Sequence, residues 1–295
     1  QSLVSSLLGR EVDAVVVTGR PTLSRPIQAL LARPDVRVVV VDAHAPWVDI
    51  SGNASVVVAD LEPAREPIRA AQAEWAARVR EAARDAGERI ESLLAAGSGR
   101  TMLDLARAVA ASTSGPLVLG ASNPVRAFDL AVPTLEGRVV HSNRGQAGID
   151  GTIATAVGIC LGSGYAGEAS APARERVTAV MGDLTACHDA SSLALAAAAR
   201  AHLDIVVADD GGGGIFATLE HGRATSPEAY DRWFGLAQSV DYEALAAAYG
   251  VAFARAETPA QLAQLLEIGE VGPRLVHAPV ERAAHLYPAL RDVLS

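Results

Sequence analysis

The sequence predicts an α/β fold: a doubly wound parallel sheet preceded by part of a second α/β domain. Three observations predict it. Short β-branched runs alternate with helical stretches along the whole chain. Those runs are continuously apolar rather than alternating, which suits parallel strands buried on both faces. The Gly- and Asp-rich segments follow such runs directly, at the strand ends where open α/β sheets bind ligands.

In order, residues 13–18, 36–42 and 55–59 read as strands, with a short helix over 23–32 between the first two. Pro63 and Pro67 mark a boundary, so 1–66 is assigned to part of one α/β domain and 67–295 to a linker helix plus the second domain. Residues 68–96 are rich in Ala, Glu and Arg at helical spacing, a solvated helix face with Gly87 as its weak point. Residues 101–111 form another helix. The second strand series follows at 116–119, 138–141, 177–181, 203–208 and 273–278. Its helices are expected over 152–161, 191–201, 242–249, 259–266 and 283–294. The segments after strands are 120–126, 141–151, 182–189 and 209–214, four loops converging on one sheet edge.

Composition bounds the chemistry. The 295 residues are 50% hydrophobic and 20% charged, enough apolar mass for a sizeable core. The net charge is −9, which argues against a sequence-independent nucleic-acid binder. All 25 basic side chains are arginine, so any mechanism needing a lysine of this chain is excluded, whether Schiff base or P-loop. Anionic ligands must be held by arginine, backbone N–H groups or metal. Cys160 and Cys187 form no disulfide framework and no metal motif, and a reduced, cytoplasmic chain is expected. No apolar run is long enough for a membrane span. The start at Gln1 is read as the beginning of a truncated or processed chain.

The most informative pair is Gly182-Asp183 and Asp209-Asp210. Asp183 and Asp210 lie 27 residues apart, room for strand, helix and return strand, which makes the two acidic ends neighbours. Adjacent carboxylates in a Gly-rich loop repel unless a cation sits between them, and hard oxygen ligands suit Mg²⁺ bridging carboxylates to phosphate. A helix beginning after Asp183 adds N–H groups facing an anion. Gly211 to Gly214 let the backbone approach a ligand closely.

This arrangement resembles the thiamine diphosphate motif, in which Gly-Asp after one strand and an Asn-Asn pair after the next hold Mg²⁺ and the cofactor diphosphate. Asp209-Asp210 departs from the amide pair. The strings Ser142-Asn-Arg-Gly-Gln-Ala-Gly-Ile-Asp-Gly151, Gly182-Asp-Leu-Thr-Ala186, Gly213-Gly-Ile-Phe216 and Gly120-Ala-Ser-Asn-Pro-Val-Arg126 narrow it. They resemble the SEPHCHC (2-succinyl-5-enolpyruvyl-6-hydroxy-3-cyclohexene-1-carboxylate) synthase family of menaquinone biosynthesis.

The resemblance implies thiamine diphosphate with Mg²⁺, or Mn²⁺ in its place, and a reaction joining decarboxylated 2-oxoglutarate to isochorismate. It implies metal ligands Asp183, Asp210 and the Gly212 carbonyl. Gly182, Leu184, Thr185, Gly213 and Asp150 would contact the cofactor, with Ile149 as a wedge beneath its thiazolium ring. Ser122, Arg126 and Arg144 would hold substrate carboxylates. The cofactor-activating glutamate belongs to a pyrimidine-binding domain that this chain does not contain, so no catalytic residue is assigned and the chain alone is expected to be inactive. A homodimer or homotetramer is implied.

Two rival readings stand beside this one: an acetolactate-synthase-like thiamine enzyme, and a noncatalytic nucleotide- or anion-binding module. Arg20 and Arg25 follow the first strand and are candidates for contact with substrate or a regulatory anion. Asn143 is held to position loop or cofactor. Phe216 and Cys187 read as packing residues, and His188 as a solvent-accessible helix-start histidine.

Overall fold

The computed structural model describes residues 4, 6–44, 47, 49–60, 70–135, 137–146, 148–164, 176–219, 222 and 224–291. The expected boundary at Pro63 and Pro67, between residues 66 and 67, lies outside them. Contacts divide the chain into Gln1–Ser92 with Pro288–Ser295, and Leu93–Tyr287.

The first unit carries a three-stranded parallel sheet of β1 (Ala14–Thr18), β2 (Arg37–Val41) and β3 (Ala54–Val58) in that order. Helix α1 (Arg25–Leu31) starts where Ser24 accepts a hydrogen bond from the Ile27 N–H and Pro26 occupies the first turn. Leu30 and Leu31 pack on Val17, Val36, Val38 and Val40. Burial of these strands on both faces is not found: Val16 is 51% exposed and Val56 38%. Their apolar runs are covered by α1 on one side only, so sequence alone did not distinguish a one-sided sheet from a two-sided one. Helix α2 (Ala70–Ala95) runs unbroken through Gly87. Its Trp75 indole donates to the Leu8 carbonyl, and Arg78 pairs with Glu11.

The second unit opens with α3 (Met102–Ser112), whose Thr101 and Asp104 form a reciprocal capping box. Its sheet contains β4 (Leu117–Leu119), β5 (Val140–His141), β6 (Val177–Gly182), β7 (Leu203–Asp209), β8 (Ala252–Arg255) and β9 (Arg274–Pro279). All pairings are parallel and the order is β5-β4-β6-β7-β9-β8. The helices of this unit are α4 (Asn123–Ala131), α5 (Thr152–Gly162), α6 (Asp183–His188), α7 (Leu193–Ala199), α8 (Tyr242–Tyr249) and α9 (Pro259–Ile268). Odd-numbered residues of β6 and β7 (Val177, Ala179, Met181, Leu203, Ile205, Val207) form one core with α5, α7 and α8. Strand alternation turns Thr178, Val180, Asp204 and Val206 to the opposite face. Both faces are therefore covered, and this is the doubly wound sheet expected.

Several expectations are corrected. Residues 123–126 are helical, the first turn of α4, because Pro124 presets the helix start. Residues 183–188 of the loop expected over 182–189 form the helix α6, and the helix expected over 191–201 is the end of a short 3-10 turn and then α7, which ends at Ala199 with Arg200 in the left-handed region. Strand β8 has no counterpart among the expected strands: Ala252-Phe-Ala-Arg255 lacks a β-branched run and is an edge strand paired to β9. The closing helix is Leu286–Arg291, and residues 292–294 lie outside the described set. No helix among the described residues is long and apolar enough to cross a membrane.

At the amino ends of the strands, Asp204 sits between two arginines. Arg176 Nε donates to it at 3.1 Å and Arg274 Nε at 2.9 Å. The remaining guanidinium groups bind the carbonyls of Gly272 (2.6 Å), Leu265 (2.9 Å) and Glu270. All three side chains are at most 3% exposed. Removing the shared carboxylate strands two buried cations. Asp204→Ala is therefore expected to cost about 3–5 kcal/mol, read from the denaturant unfolding midpoint, with Asp204→Asn losing less.

Candidate functional site

The register of the sheet builds the site. Gly182 of β6 pairs with Ala208 of β7, and Asp209 with Pro279 of β9, so the three strands end level. Asp183 begins α6 at once, with Leu184 and Thr185 in its first turn. Asp183 and Thr185 are buried. Asp183 Oδ1 accepts from the Leu184 N–H at 2.8 Å, while Oδ2 is buried with no hydrogen bond. Burial, then the charges of Asp210 and Asp209, push the Asp183 carboxyl up to about 7, with the Leu184 N–H offsetting part of the rise. The expected helix N-terminus is six residues long, and its first free N–H is already taken by Asp183.

Asp209 and Asp210 were expected to need one cation between them. The two side chains have different surroundings. Asp209 accepts from His277 Nε2 at 2.8 Å and from the Gly211 N–H at 3.0 Å. The His277 hydrogen bond is the main cause holding Asp209 below its ordinary value. The His277 ring rests on Tyr242, 4.6 Å between centroids, with Arg255 3.3 Å from Nδ1. Asp210 lies against Gly214, in a small open cleft that Thr101, Asn123 and Arg282 also line. Burial raises Asp210 to about 6, with Arg282 pulling it down and Asp209 pushing it up.

The glycine run is required by what surrounds it. Gly212 has φ +131, and a Cβ there would lie 2.0 Å from the Gly235 carbonyl oxygen. A Cβ on Gly214 would strike the Asp210 carboxylate. Gly213 N–H donates to the Gly235 carbonyl at 2.6 Å and Tyr230 OH donates to the Gly213 carbonyl at 3.0 Å, so the loop is tied to the π-helical turn Asp231–Gly235. Phe216 packs on Phe234, 5.6 Å between centroids.

The other candidates lie on the loops after β4 and β5. Ser122 precedes α4, and Arg126 in that helix donates to the Ser122 carbonyl at 2.7 Å. Arg144 donates to the Ala121 carbonyl at 3.4 Å. The two arginines thus meet one short turn. Ser142 Oγ donates to the Leu119 carbonyl at 2.7 Å, and Asn143 bonds Thr155 at 3.1 Å. Ile149 is half-buried, and Asp150 is exposed with its carboxylate against Gly148. Arg20 and Arg25 belong to the first unit and are exposed. His188 is exposed at the end of α6, not a helix start. Cys187 is half-buried, its sulfur 3.9 Å from Tyr242 OH, whereas Cys160 is the fully buried thiol.

Three residues were missed from sequence. His277 and Arg282 lie within and just after β9, more than 65 residues from the acids they meet. Asp189 caps a distant helix: its Oδ2 accepts the Ile153 and Ala154 N–H groups of α5 at 2.6 and 3.2 Å, and its Oδ1 accepts Ser192 Oγ at 2.6 Å. Asp189 was visible only as a neighbour of His188. No local pattern signals a cap 36 residues away.

The donor set fits a hard divalent cation. A desolvated carboxylate oxygen without a hydrogen bond, crowded by two further carboxylates, is stabilised by such an ion. Among the described residues no group of three or more His, Cys, Asp or Glu side chains is placed to hold a metal ion by itself.

Comparison with known proteins points the same way. The pattern of the family "Thiamine pyrophosphate enzyme, C-terminal TPP binding domain" matches residues 127–278, just over half of the chain. The chain is 40% identical over 291 residues to a 2-succinyl-5-enolpyruvyl-6-hydroxy-3-cyclohexene-1-carboxylate synthase of Nocardioides sp., covering 95% of this chain and 53% of the relative. Proteins with the same name from Kineococcus radiotolerans and Mycobacterium leprae are 40% and 39% identical, over 92% of this chain and 47% and 49% of theirs. The chain spans about half the length of these relatives.

The raised carboxyls carry a stability consequence. Asp183 and Asp210 hold protons in the folded chain up to about pH 7 and about pH 6, whereas unfolded aspartates release them near pH 3.9. The folded state binds more protons in that window, so metal-free stability should fall as pH rises from about 4 to about 7 and level off above. Thermal melts in EDTA should show this decline, Mg²⁺ should reverse it near neutral pH, and Asp183→Asn should leave only the smaller part that ends near pH 6.

Proposed function

Because the chain belongs to the thiamine pyrophosphate enzymes, we propose that its strand-end site holds thiamine diphosphate through Mg²⁺. In the intact polypeptide it would serve the SEPHCHC synthase reaction: decarboxylation of 2-oxoglutarate and addition of the resulting succinyl unit to isochorismate. The observation that carries the reading is the buried Asp183 Oδ2, without a hydrogen bond beside two more carboxylates and a glycine loop.

In this reading Asp183, Asp210 and the Gly212 carbonyl hold the metal, with Mn²⁺ able to replace Mg²⁺. Gly182, Leu184, Thr185 and Gly213 border the diphosphate, and Ile149 and Asp150 border the thiazolium. When bound, thiamine diphosphate supplies the electron sink that lets a 2-oxo acid lose CO₂. The chain's own residues bind and orient. Arg126 and Arg144, both held to the Ala121–Ser122 turn, offer planar forks to substrate carboxylates, with the Ser122 hydroxyl beside them. Asp209 is kept by His277 and is not a ligand in this scheme. Residues 1–66 would be part of a central domain and 67–295 the diphosphate-binding domain with its linker helix. The activating glutamate would come from a pyrimidine-binding domain, in a homodimer or homotetramer.

The test is titration with thiamine diphosphate, followed by tryptophan fluorescence, in EDTA and in Mg²⁺. Saturable binding is expected only with metal. Asp183→Ala should abolish it, and Asp210→Asn should retain it, since an amide oxygen still ligates. Equal binding without metal and in Asp183→Ala would sink the reading. In the intact enzyme, Arg144→Lys keeps the charge but loses the fork. It should lower kcat/KM for the dicarboxylate substrate by roughly 10- to 100-fold, with cofactor affinity changing much less.

A further inference from the structure

Three carboxylates stand at the level ends of two adjacent strands, and a bound diphosphate would bring more negative charge to them. One divalent ion does not offset all of it. Asp209 has His277 as its partner. Asp210 parts from its neighbour, lies against Gly214, and shares its cavity with Arg282.

Arg282 holds the backbone of this loop as well as facing its acid. Its Nε donates to the Asp210 carbonyl at 2.7 Å, and a terminal nitrogen donates to the Gly211 carbonyl. One guanidinium thus fastens two successive carbonyls immediately before Gly212. These bonds span 72 and 71 residues of sequence. The same guanidinium lines the cleft that Asp210 lines, so its positive charge lies beside that carboxylate.

We infer that Arg282 acts on the site through Asp210: its bonds to the Asp210 and Gly211 carbonyls fix a positive charge beside the metal loop, and that charge lets an anionic diphosphate be held beside three carboxylates. This rests on the reading above that the site takes Mg²⁺ and thiamine diphosphate. It has a signature that a purely structural role lacks. Loss of the cation leaves the site more negative, so a divalent metal alone binds no worse while the diphosphate binds more weakly. General loosening of the loop would weaken both.

The experiment measures Mn²⁺ alone by electron paramagnetic resonance, and thiamine diphosphate at saturating Mg²⁺ by tryptophan fluorescence. It compares wild type, Arg282→Gln, Arg282→Lys and the double variant Asp210→Asn/Arg282→Gln, each with its melting temperature. Arg282→Gln should raise the thiamine diphosphate Kd about tenfold without weakening Mn²⁺, a modest change because the guanidinium is solvent-exposed. Arg282→Lys, a point charge without a fork, should fall between. The double variant should recover most of the affinity, because the excess charge has been removed.

Wild-type-like binding by Arg282→Gln would overturn the inference. So would a parallel loss of Mn²⁺ and thiamine diphosphate with a lowered melting temperature, or a double variant that recovers nothing. If the wild-type chain itself bound no thiamine diphosphate with Mg²⁺, the functional reading would fail first, and this inference with it.

Discussion

Like charge confined to a dry place is the constraint on which this site depends. The parallel register brings β6 and β7 to an end at the same level, so Asp183 and the Asp209-Asp210 pair cannot be far apart. In water three carboxylates tolerate one another; at the buried end of a sheet they do not. The structure answers the repulsion in three ways. Asp209 turns to His277, Asp210 lines the same cleft as Arg282, and Asp183 keeps one buried oxygen without a hydrogen bond. The third is an unanswered demand for positive charge, and the proposed metal site rests on it.

Backbone geometry serves the same end. The loop after β7 passes so close to the Gly235 carbonyl and to the Asp210 carboxylate that side chains at 212 and 214 have no room. Glycine there is a consequence of crowding, and the crowding is imposed by the turn Asp231–Gly235. The loop after β5 is tied in from another direction. Asp189, just past α6, caps α5 and so couples the arginine-bearing loop 142–151 to the acidic one. An aspartate on helix N–H groups combines a hydrogen bond with the favourable end of the helix dipole.

The two ends of the sheet treat charge in opposite ways. At the amino ends Asp204 is saturated by two arginines whose remaining donors reach backbone carbonyls, a closed arrangement with nothing left to bind. At the carboxyl ends the acids outnumber the cations and one oxygen stays open. The same residue types give a structural lock in one place and a binding demand in the other. Completeness of the hydrogen-bonding shell makes the difference.

Sequence alone determined the α/β class and the loops that carry chemistry, because continuous β-branched runs and the glycine and acid segments after them are local patterns. The Gly182-Asp183 and Asp209-Asp210 spacing was legible for the same reason: one strand–helix–strand unit has a narrow range of lengths. One-sided burial in β1 and β3 was not legible, since an apolar run looks the same whether one face or two is covered. Strand β8 was hidden because its alanines and arginine carry no strand signal and only pairing with β9 makes it one. His277, Arg282 and Asp189 were hidden for a different reason. Each acts on a group dozens of residues away, and only the parallel register and the helix packing decide which distant side chain arrives beside which carboxylate or N–H group.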